Sequence, residues 1–114
     1  MLGEAIAQYR EALKREPRLL AAEDNLAWIL ATAPDASLRN GSQALELAMQ
    51  ANQLSGGRDP IVLRTLAAAY AENGQFSKAF ESAKSALELA TTQRNQALVE
   101  ALQHDLSLYQ KGLP

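Results

Sequence analysis

Asp59-Pro60-Ile61-Val62-Leu63-Arg64-Thr65-Leu66-Ala67-Ala68-Ala69-Tyr70-Ala71-Glu72-Asn73-Gly74-Gln75-Phe76-Ser77-Lys78-Ala79-Phe80 reads as one helix, a tight turn and the start of a second helix. Asp59 is a natural N-cap, and Pro60 falls at the first helical position, where a missing N–H costs no hydrogen bond. Asn73-Gly74 is a turn pair. The helix that follows covers about 76–90. Working outward, apolar residues at helical spacing predict further helices over about 3–16, 19–33, 42–54 and 93–111. Pro17 and Pro34 stop the first two, and Gly56-Gly57 supplies a left-handed stop for the third. Thr92 is the expected cap of the last helix and Gly112 its stop. No segment alternates apolar and polar residues long enough for a strand, so the fold class is all-α with about six helices.

Composition agrees with this. Apolar residues make up 47% of the chain but aromatic ones only 5%, so small aliphatic side chains must dominate the packing. Alanine is abundant and β-branched residues are scarce, a bias that favours helix. At 114 residues the chain can bury one modest core. Eleven basic and thirteen acidic residues are interspersed, and no basic stripe exists to neutralise several phosphates, which argues against nucleic acid as a partner. No apolar run approaches the roughly 18 residues of a membrane span, so direct membrane insertion is not expected. Charges at Glu4, Arg10, Glu11, Lys14, Arg15 and Glu16 break any signal-peptide pattern. Cysteine is absent, which removes disulfides, thiolate metal sites and a Cys nucleophile but does not fix the compartment.

The chain repeats itself. Leu66-Ala67-x-x-Tyr70, then Ala79-x-x-x-Ala83-x-x-Ala86, has a counterpart in Leu26-Ala27-x-x-Leu30, then Ala44-x-x-x-Ala48-x-x-Ala51. The first helix supplies the second half alone, Ala5-x-x-x-Tyr9-x-x-Ala12, ending at Pro17. Ala44 and Ala79 are 35 residues apart, and Ala5 and Ala44 are 39 apart; the turn-rich stretch 34–41 accounts for the excess. Alanine facing alanine lets two helices approach to the lower end of the ~8–10 Å interaxial range. A continuous seam of Leu26, Leu30, Leu66, Tyr70, Phe76 and Phe80 is expected between the pairs.

On these residues the chain resembles the tetratricopeptide-repeat family, whose helix pairs recur about every 34 residues with a small residue of helix A against a small residue of helix B. Ala27 and Ala67 match the first position; Ala5, Ala44 and Ala79 match the second. Tyr9 fills the family's aromatic position, which Ala48 and Ala83 leave smaller, and the helix-A Trp is replaced by Glu23 and Leu63. The resemblance covers about residues 3–90. It implies a right-handed superhelical solenoid of antiparallel helix pairs: a half repeat over 3–17, a repeat over 19–57 with the 34–41 insertion, a repeat over 59–90 and a C-terminal capping helix over 92–112. The stretches Leu26–Asp35, Leu38–Gly41 and Gly56–Pro60 further resemble C-terminal repeat arrays of large bacterial multi-domain proteins, in which such arrays follow membrane-embedded glycosyltransferase-like or kinase-like domains. Under that resemblance the chain is an accessory module, cytoplasmic or periplasmic according to its parent.

The family likeness implies a protein or peptide partner, held in a concave groove lined by the A helices. The groove positions by alignment are Asp24, Asn25, Trp28 and Thr32, then Ile61, Arg64, Thr65 and Ala68. Trp28 and Arg64 are residue types enriched in interface hot spots; Trp28 equally suits packing on the neighbouring repeat, and Arg64 suits solvent or a pairing with Asp24. Ile61 and Thr65 stand where a carboxylate-clamp repeat would need basic residues, so that mode is disfavoured. Ile6, Tyr9 and Leu13 on the unpartnered first helix are the expected contact if the chain instead forms a homodimer.

Catalysis has little to stand on. His104, the only histidine, has just its neighbour Asp105 as an acid nearby and reads as a polar or half-buried helix residue. The one pair of metal-ligand types at i, i+4 spacing, Glu100 with His104, is too little to hold zinc alone. Gly56-Gly57 lacks the Lys-Ser/Thr of a phosphate loop. Glu23 and Asp24 are adjacent and diverge on a helix, which makes them no acid–base pair. No enzyme activity, metal or cofactor is expected. Glu11–Arg15 and Lys84–Glu88 are the expected helical ion pairs.

Overall fold

Local chemistry sets most helix boundaries in the computed structural model, which describes the whole chain, residues 1–114. The helices are α1 (Leu2–Arg15), α2 (Leu20–Thr32), α3 (Gly41–Leu54), α4 (Pro60–Glu72), α5 (Phe76–Thr92) and α6 (Gln96–Gln110), with no strand. The Asp59 carboxylate accepts from the Ile61 and Val62 N–H groups at 2.9 and 3.5 Å and so caps α4. Asn40 caps α3 by accepting from Gln43 N–H at 3.1 Å. Gly56 and Gly57, at φ +82° and +76°, end α3 in the left-handed conformation that glycine adopts without steric cost.

The cap of α6 differs from expectation. α5 runs on through Thr92, whose hydroxyl donates back to the Glu88 carbonyl at 3.0 Å. Asn95 is the capping residue instead, accepting from Leu98 N–H at 3.2 Å. The turn between them repeats the α4–α5 turn: Asn95 N–H reaches Ala90 O at 3.0 Å, as Gln75 N–H reaches Tyr70 O at 2.9 Å. Arg94 holds the left-handed position, φ +58°, that Gly74 holds in the earlier turn. A non-glycine residue there leaves no turn signal in the sequence.

The 34–41 insertion forms a single 3-10 turn, Ala36–Leu38. Its start is held by Asp35, which accepts from Ser37 N–H and Oγ at 2.9 and 2.8 Å. Its end is tied to α2 by Asn40 N–H on Leu30 O at 2.8 Å. Arg39 then links two helices, donating to Ala33 O at 2.8 Å and pairing with Glu72 at 3.1 Å. Beside it, the Asn73 amide donates to Gly41 O at 2.8 Å. A Cβ on Gly41 would lie 3.0 Å from Asn73 Oδ1, so a larger residue there would push the Asn73 amide aside.

Each helix packs on the next, and α2 packs on α4 and α4 on α6 as well. α4 is therefore central, and nine of its thirteen residues are buried. The alanines do the close packing. Ala27, Ala67, Ala44, Ala48, Ala51, Ala79, Ala83 and Ala86 are all fully buried, in the register expected from the repeat, and Ala5 is half-buried at the margin. Leu26, Leu30 and Leu66 form the buried part of the seam, while Tyr70, Phe76 and Phe80 pack half-buried at its edge. The expected surface ion pairs are absent. Glu11 approaches Lys14 at 3.9 Å rather than Arg15, both well exposed, and Lys84 and Glu88 form no pair. Exposed pairs of this kind contribute little.

A candidate peptide groove across α2, α4 and α6

One face of the molecule carries a groove built by the three even-numbered helices. Its larger cavity, about 460 Å³, is walled by Asp24, Asn25 and Trp28 of α2 and by Ile61, Arg64 and Thr65 of α4. Asn95, Ala97, Leu98 and Ala101 close the third side. A second cavity of about 300 Å³ adjoins it and takes in Thr32 and Ala68, with Asp105, Leu108 and Tyr109 from α6. Trp28 and Arg64 border both cavities. All eight groove residues expected from the sequence thus line one of two neighbouring hollows.

Trp28 and Arg64 divide the groove between them. The Arg64 guanidinium lies 4.6 Å from the centre of the Trp28 ring, in cation–π geometry. Its Nε donates to Asp105 Oδ2 at 2.7 Å and its Nη2 to Oδ1 at 3.5 Å. The partner of Arg64 is therefore Asp105 of α6, not Asp24 and not solvent. α6 brings Asp105 to it because Leu102 and Tyr109, on the same face, are buried in the core. Tyr109 sits close to this pair, and burial, then the Asp105 charge, raises its phenol well above the ordinary value.

Other expected residues are less available. Thr65 is buried and its hydroxyl donates to Ile61 O at 3.2 Å. Thr32 donates to Trp28 O at 2.7 Å, so both hydroxyls serve their own helices first. Ile61 is the open apolar residue of the groove, 55% exposed. Ile6 is buried in the core, and Tyr9 and Leu13 pack half-buried against it. The α1 residues expected to contact a second copy thus face largely inward. His104 is exposed on α6.

Nothing in the repeat pattern places α6 in the groove. It lacks the alanine of the repeat, having Gln103 where α4 has Ala67. The available signal was the distance from the cap: Leu102 follows Asn95 at the interval by which Leu66 follows Asp59, and both leucines are buried. At that register Ala97 and Ala101 correspond to Ile61 and Thr65.

Two carboxyls, buried Glu23 and half-buried Asp24, each carry one oxygen without a hydrogen-bond partner. Oδ1 of Asp24, within the groove wall, has no hydrogen-bond partner. Burial pushes its pKa up, the Thr65 hydroxyl beside it pulls down, and the Asp59 charge adds to the rise. On the opposite side of α2, Glu23 is 1% exposed, and its Oε1 also lacks a partner in a cleft with Arg18, Gln50 and Gln53. Burial raises its pKa against the lowering effect of Arg18. A carboxyl whose folded-state pKa is raised binds its proton more tightly folded than unfolded. Its protonated form favours the fold, and that advantage fades as pH rises through the folded-state value. Glu23→Gln should therefore stabilise the protein at pH 7 by about 1–3 kcal/mol, the usual cost of an unsatisfied buried group. The gain over wild type should shrink as pH falls toward 4.5, the ordinary value. Urea unfolding of both proteins across that range checks it; a gain that grows on acidification would contradict the sign.

No group of three His, Cys, Asp or Glu side chains is placed to hold a metal ion, and no helix is long and apolar enough to cross a membrane. Comparison of the chain with protein-family models, with curated proteins and with solved structures gives no match.

Proposed function

We propose that this chain is a tetratricopeptide-like helical repeat, a non-catalytic scaffold that binds a segment of another protein across α2, α4 and α6. The observation that carries the reading is the groove itself. Eight positions assigned from a repeat register alone line two adjoining cavities. The packing of α2 on α4 and α4 on α6 supports the solenoid arrangement, in which each pair buries its apolar face on the next. The cavity is of ligand-binding size, with an aromatic wall, an open isoleucine and a few polar groups.

Selection of a phage-displayed library of random 12-residue peptides on the purified protein tests this reading. Enriched peptides are expected, and Ile61→Arg should weaken them about tenfold or more by placing a bulky charge on the open apolar wall. Absence of any enriched peptide, or peptides indifferent to Ile61→Arg, would refute it.

A further inference from the structure

We propose that the segment held in this groove carries a lysine or arginine side chain that seats against Asp24, beside an apolar side chain resting on Ile61 and Leu98. This rests on the peptide-binding reading above and specifies its ligand.

The groove holds one charge without a counter-charge. Asp24 and Arg64 are the only charged residues lining the larger cavity. Arg64 is already committed. One edge of its guanidinium, Nε and Nη2, faces Asp105 at 2.7 and 3.5 Å, and its face lies on Trp28, so its charge is answered within the protein. Asp24 has no such counter-charge: it forms no ion pair, its polar neighbour is the neutral Thr65 hydroxyl, and its Oδ1 has no hydrogen-bond partner. A carboxylate in a cavity wall with no counter-charge attracts a cation, and a charge-assisted hydrogen bond is the stronger kind. Asp59, close enough to act on Asp24 through its charge, makes this end of the groove more negative.

Nor does the start of α4 favour an anion, since its Ile61 and Val62 amides already donate to the Asp59 carboxylate. An acidic or C-terminal segment would thus meet Asp24 with no free cation to answer it. The remaining wall is apolar and shallow: Ile61 is open, Leu98 half-buried, and Ala97 and Ala101 leave room between them. A long aliphatic stem ending in a cation fits such a wall, its methylenes on Ile61 and its head at Asp24.

The same selection supplies the test. Most enriched peptides should contain Lys or Arg within a few residues of a Leu, Ile or aromatic side chain. The best of them, made synthetically, is titrated into three proteins while the fluorescence of Trp28, the single tryptophan, is followed. Asp24→Asn should weaken it roughly five- to tenfold, and Asn95→Asp should tighten it about two- to threefold by adding charge while retaining the cap. Circular dichroism establishes that each variant is folded; if Asp24→Asn does not fold, Asn95→Asp decides. Enriched peptides that lack basic residues, or an affinity unmoved by both substitutions, would overturn this inference and leave the peptide groove standing. Failure to enrich any peptide would overturn both.

Discussion

Leu102→Ala is expected to lower the free energy of unfolding by about 2–5 kcal/mol, the range for truncating a fully buried leucine. Leu102 is 0% exposed and belongs to the same core as Leu26, Leu30 and Leu66. Alanine there removes apolar contacts and leaves a void that the surrounding helices fill only in part. The site also explains why the loss should reach the groove. Leu102 fixes α6 against its neighbours, and α6 delivers Asp105 to Arg64 at 2.7 Å. Loosening α6 should therefore weaken peptide binding beyond the loss of stability. Urea unfolding followed by circular dichroism measures the first effect. A cost below about 1 kcal/mol would mean that α6 is loosely docked and no structural wall of the groove.

Ala67→Leu should destabilise by about 1–3 kcal/mol for the opposite reason, too much side chain rather than too little. Ala67 is 0% exposed on α4, the helix that packs against α2, α3, α5 and α6. The alanines of α3 and α5 are buried to the same degree, so every direction open to a leucine side chain is already occupied. The helices would have to separate or the leucine take a strained rotamer. Ala21→Leu, at an exposed position of α2, is the control and should change stability by no more than about 0.5 kcal/mol. Equal melting temperatures for wild type and Ala67→Leu would show that the alanine register does not govern the helix crossing.

The parts of the fold legible in the sequence are those fixed by strictly local or strictly periodic chemistry. Asp59-Pro60 announces a helix start because the cap and the proline act within one turn. Gly56-Gly57 announces a stop because the backbone there needs positive φ. The alanine spacing announces close helix crossings because a larger residue would not fit. What stayed hidden depends on tertiary placement. Arg94 adopts a left-handed conformation without glycine, so the sequence marks Thr92 as the cap of α6 where the structure has Asn95. Arg64 reads in the sequence as facing solvent or Asp24, and only the docking of α6 brings Asp105 to it. The inward turn of Ile6 likewise follows from how α1 lies on α2, which its own amphipathic pattern leaves open. Glu23 has the most polar of side chains in a place where the repeat pattern alone would call for an apolar one.

The central claim is that the face shared by α2, α4 and α6 is where another protein binds. Amide and indole N–H chemical shifts of the 15N-labelled protein, recorded while the most enriched peptide is added, test it most directly. The Trp28 indole and the backbone N–H groups of Asn25, Ile61 and Leu98 should move together and saturate at one affinity. Met49, Glu81 and Lys84, exposed on α3 and α5, should hardly move. Shifts clustered on α3 and α5 with the Trp28 indole unmoved would place the binding face elsewhere and contradict the account.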